Sequence, residues 1–434
     1  MIGTLYKNCM DTPTRSAKAS AQVQSLLGLL QPHSEPTNIL AQLHSRGIFA
    51  FFEVSVEADM KHPDINELYF DQGGFGMPSR DYYESSEQKM QDLRVAYKSH
   101  IARTFNLILL SSSKPTLSES QAMELAQRIF DIEAKLAHFS QTPAERRDPQ
   151  ELYHVSSLNR LIPTAPWPMD NMDDYLSEMF SLSDSIANAQ PSPIVPTSQS
   201  PAIVLNVDFF SNLSDVLSDF SSNQIRDYLV WKIFEAYSPV LSPPFVEEAF
   251  SWRQTLLGLR AAPSNSRTCL SWVNSALGQL LGRYFIAEAF PGNSKTIADR
   301  LVHKLLDQFD RTLTKVSWMT PTTRAAAIEK LGMIRQYIGY PSVWHDYSNF
   351  FVEPDDFLQN ILLSSQLEIS QDLRNYKKSV DKDKWLMDPQ TVNAYYDPSV
   401  NHIVFPAGIL QPPFFNASFP SSMNFGAIGM VMYV

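Results

Sequence analysis

The sequence predicts a mainly α-helical fold with one small β element near the C-terminus. Apolar residues recur at helical spacing over several long segments, whereas few segments alternate as strands do. No repeat of about 20 to 50 residues and no sustained heptad pattern is present, which argues against a solenoid or a coiled coil. With 434 residues, 44% of them apolar and 19% charged, the chain is typical of a globular protein large enough for two lobes.

Two helices follow directly from the spacing of apolar side chains. Thr116 and Glu119 have the spacing of a capping box, which predicts that a helix begins there. The apolar residues from Ala122 to Phe139 then fall on one face of this helix. A second stripe runs from Leu301 to Val316 and predicts another amphipathic helix.

A third helix is predicted to begin at Thr320, because proline is favourable in the first turn of a helix and Pro321 follows. The apolar spacing continues through Ile334 towards Gly339. Pro341 prevents further extension because it lacks the backbone N–H that a helix needs.

Strand signals are confined to two places. Residues Leu205–Phe210 form a short β-prone run, and Thr391–Phe405 have the pattern of a hairpin. In the hairpin, the turn-forming residues Asp397-Pro398-Ser399 separate two β-prone segments. We therefore predict a small β-hairpin near the C-terminus.

Residues 163–201 are rich in Pro, Ser, Asp and Asn. This composition is typical of a surface excursion or a joint between subdomains. One long exposed loop within a single helical domain fits the composition equally well.

The charge and hydropathy of the chain exclude two classes of partner. A net charge of −11 without a Lys/Arg cluster argues against nucleic-acid binding. The most apolar runs, Ile48–Phe52 and Leu107–Leu110, are far shorter than the roughly 20 residues that span a membrane. The N-terminus lacks the apolar segment of a secretion signal. We expect neither a membrane span nor a signal peptide within this chain.

No catalytic residue and no metal ligand can be predicted from the residues alone. The nine histidines include no pair at the i, i+4 spacing of a helical zinc site. His303 and Asp307 have that spacing, but a solvated helix face explains them better. The sequence also lacks a Gly-x-Ser-x-Gly nucleophile elbow.

Gln72–Pro78 is rich in glycine, but it lacks the Lys-Ser/Thr ending of a phosphate-binding loop. A turn in which glycine adopts a positive φ angle is the better explanation.

Four further residues are candidates for covalent modification. Cys9 and Cys269 are too few to define a disulfide scaffold, so two buried thiols remain possible. Asn212-Leu-Ser and Asn416-Ala-Ser have the pattern of N-glycosylation sites, which would be used only in a secretory compartment.

Asn393 and Ala394 lie at the beginning of the predicted hairpin. An exposed edge strand leaves backbone groups free to pair with an extended peptide, and an Asn side chain could hold a peptide group through two hydrogen bonds. From the residues alone, a purely structural strand is favoured.

The chain resembles the neprilysin family, which comprises neprilysin and endothelin-converting-enzyme-like zinc endopeptidases. The resemblance extends over nearly the whole chain and is most specific in its last segment. It rests on ordered motifs at Tyr6–Asp11, Ile48–Phe52, Val56–Asp59, Gln72–Gly74, Met77–Tyr83, Glu145–Pro149, Trp318–Met319, Thr323–Arg324, Ile338–Pro341 and Phe405–Phe415.

The resemblance implies a helical domain over residues 1–380, followed at 381–434 by the start of a thermolysin-like catalytic domain. It implies that Asn393 and Ala394 bind the backbone of a peptide substrate. It also implies a disulfide between Cys9 and Cys269, and an extracellular or membrane-anchored location.

The resemblance further implies zinc in the complete enzyme, but the family's His-Glu-x-x-His motif would follow Val431, where this chain reads Met432-Tyr433-Val434. We therefore expect an incomplete chain that binds no zinc, lacks its catalytic domain as a partner and is inactive as given. There are two alternatives: a non-catalytic peptide-binding decoy, and a fragment that results from an incorrect exon boundary.

Overall fold

The computed structural model describes residues 1–31, 38–162, 167–169 and 171–433. The chain divides into two compact units, each considered separately below. Unit 1 comprises Met1, Gly3–Leu270 and Asn349–Val380, and unit 2 comprises Ile2, Ser271–Ser348 and Asp381–Val434. Unit 2 resumes at Asp381, and the predicted domain boundary between residues 380 and 381 stays a prediction. Unit 2 also includes residues 271–348, which lie within the predicted helical domain 1–380.

Unit 1 is mainly helical, which confirms the predicted fold class. Its helices and strands are α1 Ile2–Met10, α2 Thr12–Gly28, α3 Ile39–His44, β1 Phe52–Ala58, β2 Asn66–Gln72, α4 Arg80–Glu84, α5 Gln88–Ser111, α6 Glu119–His138, α7 Pro149–Leu152, β3 His154–Ser156, α8 Leu158–Leu161, α9 Met172–Ile186, β4 Ala202–Val204, α10 Val207–Ser218, α11 Ser222–Tyr237, α12 Pro243–Leu257 and the start of α13 Asn265–Ala289. Helix α16, Phe357–Leu373, also belongs to this unit; its label follows the order of the whole chain. Short 3₁₀ helices at Glu145–Arg147 and Ser238–Val240 complete it.

The sheet of unit 1 has the strand order β1-β2-β4-β3. Strands β1 and β2 form an antiparallel pair, and β2 pairs in parallel with β4. The side chains of Phe52, Phe70 and Val204 are fully buried, so the sheet lies within the core of this unit.

Unit 2 combines helices with a second, smaller sheet. Its elements are the remainder of α13, α14 Ser294–Leu313, α15 Pro321–Gly332, β5 Arg335–Gly339, β6 Tyr395–Asp397, β7 His402–Pro406, α17 Ser421–Gly426 and α18 Ile428–Tyr433. Its hydrophobic core includes Phe290, Leu301, Phe405 and Phe415. Among the helices of the described ranges, none is both long enough and apolar enough to cross a membrane.

The predicted start of α6 is wrong by two residues. The capping box is formed by Ser118 and Gln121, not by Thr116 and Glu119. Both pairs fit the same sequence pattern, but the backbone N–H of Leu117 donates to Oδ1 of Asn106 at 2.8 Å and so remains outside the helix. The apolar face is nevertheless as predicted, because its members from Ala122 to Leu136 are buried.

The second predicted stripe is confirmed only in part. It lies on α14, where Leu301 and Leu313 are buried. Phe309 is 41% exposed, and Val316 lies beyond the end of the helix.

The third predicted helix begins as expected but ends early. Thr320 caps α15 by accepting a hydrogen bond from the backbone N–H of Thr323 at 3.1 Å. The helix ends at Gly332, and Arg335–Gly339 form β5 rather than a further turn of helix. Parallel pairing with β7, from Arg335↔His402 onwards, outweighs the local helical spacing.

The strand predicted at Leu205–Phe210 is also wrong. The strand in this region is β4, which ends at Val204, and helix α10 follows it. Asn206 caps that helix, since its Oδ1 accepts a hydrogen bond from the backbone N–H of Phe209 at 3.0 Å.

Residues 163–201 do not form one exposed loop. Residues 163–166 and 170 lie outside the described residues, but Met172–Ile186 form helix α9. This helix buries Tyr175, Leu176, Met179 and Phe180 in the core of unit 1. The apolar spacing of these residues outweighs the polar composition around them.

The glycine turn after β2 is confirmed. Gly74 has a φ angle of +85°, and a methyl group there would lie 2.5 Å from the backbone nitrogen of Phe51. A side chain is excluded at this position both by the backbone conformation and by the lack of space.

Candidate functional site

The predicted hairpin is present in unit 2, with shorter strands than the sequence suggested. Strand β6 pairs antiparallel with β7, from Tyr395↔Val404 to Asp397↔His402. The strand order is β5-β7-β6, so β6 lies at an edge of the sheet. Asn393 and Ala394 immediately precede β6.

The edge formed by residues 392–397 is open to solvent. Val392 and Tyr396 are 68% and 43% exposed, and Asn393 is also exposed. Within the described ranges, no strand pairs with the side of β6 that faces away from β7. Oδ1 of Asn393 accepts a hydrogen bond from the backbone N–H of Ala394 at 2.8 Å, which fixes the side chain beside the strand.

The turn that closes the hairpin is held by its own side chains. Oδ1 of Asp397 accepts hydrogen bonds from the backbone N–H and the hydroxyl of Ser399, at 2.9 and 2.5 Å. Asn401 has a φ angle of +52° and donates from Nδ2 to the carbonyl oxygen of Lys330 at 3.1 Å. These contacts fix the register of the hairpin, because register follows from turn geometry.

Strand β7 supports the edge from within. Val404 and Phe405 are buried, and the imidazole of His402 is 2% exposed between its neighbours. Burial lowers the pKa of His402, against the effect of the opposing Asp397 carboxylate, which raises it. The middle strand β7 is therefore a buried and uncharged support for the exposed strand β6.

The segment 388–391, which leads into the edge, is tied to helix α13. Nε2 of Gln390 donates to Oδ1 of Asn274 at 2.6 Å and to the carbonyl oxygen of Gly278 at 2.9 Å. This role of Gln390 is not among the predictions made from the sequence. Gly278 and Gly282 were the available signal, because two glycines four residues apart lie on the same side of a helix and permit a close approach.

No zinc site is formed by the residues that the structure describes. Across these ranges, no three or more His, Cys, Asp or Glu side chains converge so that they could hold a metal ion. His303, considered above with Asp307, instead lies 3.5 Å from a carboxylate oxygen of Asp299 and 2.6 Å from the side-chain amide of Gln336. The donor groups present do not fit zinc, so no chemical step is assigned to a metal here.

The other candidate residues lie in separate places. Cys9 and Cys269 are joined by a disulfide in unit 1. Asn212 lies on α10, where its side-chain amide donates to the carbonyl oxygen of Asp208 at 2.8 Å. Asn416 lies in a turn of unit 2, where its Oδ1 accepts a hydrogen bond from the backbone N–H of Ser418 at 2.9 Å.

The fold is that of zinc metalloproteases of known structure. The zinc metalloprotease ZMP1 of Mycobacterium tuberculosis, solved in complex with an inhibitor, superposes with a TM-score of 0.86 at 27% identity. The alignment covers 99% of this chain and 62% of that one. PepO from Lactobacillus rhamnosis shares the fold, with a TM-score of 0.80 at 19% identity over 99% of this chain and 65% of that one.

The chain belongs to peptidase family M13. Two models described as Peptidase family M13 match it, one over residues 1–341 and the other over residues 393–433. Neprilysin-3 of Drosophila melanogaster is 30% identical over 90% of this chain, and neprilysin of Mus musculus is 29% identical over 91%. These matches cover 49% and 53% of the two relatives, so the chain spans about half of their length. The predicted resemblance is confirmed.

Proposed function

We propose that this chain is the N-terminal region of a neprilysin-like zinc metalloendopeptidase that hydrolyses oligopeptides. Its own part in that function is to hold the peptide backbone against β6. One observation carries the proposal: Asn393 and Ala394 immediately precede an exposed strand edge with which no strand of the described ranges pairs. Family membership supports it, since both matching family models are described as Peptidase family M13.

Binding would extend the sheet of unit 2 by one strand. An extended peptide would pair with the free backbone groups of β6, and the pairing would not depend on the peptide's side chains. The carboxamide of Asn393 has both an acceptor and a donor, so it would bind one peptide group of the substrate at two points. Strand addition requires an unfolded segment, which is why oligopeptides rather than folded proteins are the proposed ligands.

Hydrolysis is assigned to residues outside this chain. The sequence contains no His-Glu-x-x-His motif, and the described residues form no metal site. We propose that residues 381–434 begin the thermolysin-like catalytic domain, and that the rest of that domain supplies the zinc ligands. On this basis the chain binds peptides without cleaving them.

The proposed location is extracellular or on a membrane-anchored ectodomain. A disulfide between Cys9 and Cys269 supports an oxidising compartment. We also propose that Asn212 and Asn416 carry N-glycans in that compartment. When the chain is secreted from eukaryotic cells, peptide:N-glycosidase treatment should lower its mass, and N212Q and N416Q should each remove one glycan. An unchanged mass after treatment would contradict the glycan assignment.

Peptide binding is tested with the whole chain and a fluorescent, unstructured oligopeptide. Wild-type protein should bind it saturably in an anisotropy titration. N393A should weaken binding about tenfold, because the loss of about two net hydrogen bonds costs roughly 1.4 kcal/mol. N293A is the matched control, since Asn293 is exposed in the same unit and its side chain makes no capping hydrogen bond. Equal affinity for wild type and N393A would contradict the proposal.

The alternative is a non-catalytic decoy that retains the peptide-binding edge. The combination of an open edge strand with a sequence lacking His-Glu-x-x-His favours it. The two candidates differ in their need for a partner. A decoy functions alone, whereas the N-terminal region of an enzyme should give peptide cleavage once the remainder of the catalytic domain is joined to it. Stoichiometric zinc and chelator-sensitive cleavage by the chain alone would exclude both.

A further inference from the structure

Helix α13 is interrupted inside unit 2, and the interruption is occupied by another part of the same unit. Leu277 has non-helical angles, φ −134° and ψ 35°, although it is fully buried. Beside it, the carbonyl oxygen of Gly278 accepts a hydrogen bond from the side chain of Gln390. The same amide nitrogen also reaches Asn274 on the preceding turn. Gln390 thus bridges the two sides of the kink.

Three glycines leave room for the segment that carries Gln390. A methyl group at Gly278 would lie 1.9 Å from Oδ2 of Asp388, and one at Gly282 would lie 2.9 Å from the Pro389 ring. At Gly408 it would lie 2.4 Å from the carbonyl oxygen of Gln390 and 2.5 Å from that of Thr391. All of these distances are shorter than side-chain carbons tolerate, so the segment 388–391 lies directly against backbone at each glycine.

A hydrogen bond completes the contact at Gly408. The backbone N–H of Gly408 donates to the carbonyl oxygen of Pro389 at 2.8 Å. Gly408 follows β7 by two residues, so it is fixed to the strand that supports β6. The segment is therefore held between the kinked helix and the end of the middle strand.

We propose that Gly278, Gly282, Gly408 and Gln390 form a clamp that positions the peptide-binding edge. The segment that it holds, 388–391, ends at Thr391, and Asn393 follows two residues later. Consecutive Cα atoms are only 3.8 Å apart, so a displacement of the clamped segment is transmitted to Asn393 and Ala394. These four are positioning residues and do not themselves contact the peptide. The proposal rests on the proposed function only for what the edge binds, not for what positions it.

The clamp predicts an order of effects among glycine substitutions. G408A should be the most damaging, because its methyl group meets backbone oxygens that cannot rotate away. G278A should be milder, because it meets the Asp388 side chain. G332A is the matched control, since Gly332 is in the same unit and no atom lies within 4 Å of a methyl group there.

Two measurements on the full chain test this order. Amide hydrogen exchange of residues 392–397 should accelerate at least about tenfold in G408A, less in G278A and not in G332A. Affinity for the fluorescent oligopeptide should fall in the same order. D388A should restore slow exchange when combined with G278A, because it removes the atoms that the new methyl group meets. A general loss of stability would not produce that restoration.

If G408A does not fold, Q390A decides the question, since it removes the bridge without adding volume. Faster exchange at 392–397 with little change elsewhere supports the clamp, and unchanged exchange overturns it. Exchange needs no peptide, so the two proposals can fail separately. If the wild-type protein binds no peptide but the variants follow the predicted order of exchange rates, only the proposed function is contradicted. Loss of binding in N393A with no effect of G408A or Q390A would contradict only the clamp.

Discussion

Nδ1 of His44 lies 2.8 Å from the hydroxyl oxygen of Tyr175 in the core of unit 1. The other ring nitrogen lies 3.0 Å from the carbonyl oxygen of Ala50. His44 is completely buried, and burial lowers its pKa from 6.5 to about 3. Between pH 6.5 and about 3, the folded chain therefore holds a neutral imidazole where an exposed histidine would be charged.

This burial predicts that acid destabilises unit 1. Between pH 6.5 and about 3, the unfolded chain binds a proton at His44 that the folded chain does not. The free energy of unfolding should therefore fall as the pH falls through this range, by up to about 1.4 kcal/mol per pH unit. Urea unfolding of wild type and H44Q at several pH values measures the difference. Since glutamine cannot take up the proton, H44Q should lack this contribution. Identical pH slopes for the two proteins would rule it out.

Tyr83 connects the glycine turn of unit 1 to a buried carboxylate. Its hydroxyl oxygen accepts hydrogen bonds from the backbone N–H groups of Gly76 and Met77, both at 3.0 Å, and donates to Oε2 of Glu133 at 2.8 Å. Y83F would leave all three partners without it. We expect a loss of about 2–4 kcal/mol in the free energy of unfolding, because buried polar groups left unsatisfied cost 1–3 kcal/mol each.

The neighbouring tyrosine supplies the control for this substitution. Tyr82 is only partly buried, so Y82F should change the free energy of unfolding by less than about 0.5 kcal/mol. Chemical denaturation compares the two variants under the same conditions. Equal stability of Y83F and Y82F would show that the network around Glu133 contributes little.

Glu133 predicts a pH dependence opposite in sign to that of His44. Burial raises its pKa from 4.5 to about 7, and the carboxylate of Glu235 adds to the effect. Between these values the folded chain holds a proton that the unfolded chain has lost. Stability from this group is complete below pH 4.5 and falls as the pH rises towards 7. E133Q should remove this fall. The pH dependence of the free energy of unfolding of wild type combines the contributions of both groups, so H44Q and E133Q are needed to separate them.

Elements that depend on neighbouring residues could be predicted from the sequence, whereas elements that depend on a partner distant in sequence could not. Helices α6, α14 and α15 follow from apolar spacing, which is a local property. Strand β5 could not be predicted in this way, because its partner β7 is distant in sequence and supplies the pairing that overrides helical spacing. Helix α9 was missed for a different reason, since its polar flanks concealed a buried face.

The same distinction between local and long-range contacts applies to the candidate site. The hairpin with Asn393 and Ala394 was predictable because its turn lies within the same fifteen-residue stretch, Thr391–Phe405. The contacts of Gln390 were not, since Asn274 and Gly278 precede it by 116 and 112 residues. Only the three-dimensional structure brings these residues together, so the groups that position an edge are harder to predict than the edge itself.

The disulfide between Cys9 and Cys269 should account for a large part of the stability of unit 1. The two cysteines are 260 residues apart in sequence, and both are buried. Closing so long a loop removes chain entropy from the unfolded state and stabilises the folded state by about 5 kcal/mol. The double variant C9S/C269S should lose stability of this order in chemical denaturation. A strong reductant should lower the melting temperature of wild type but not that of the double variant. Equal melting temperatures for both proteins without reductant would show that the bridge does not constrain the unfolded chain.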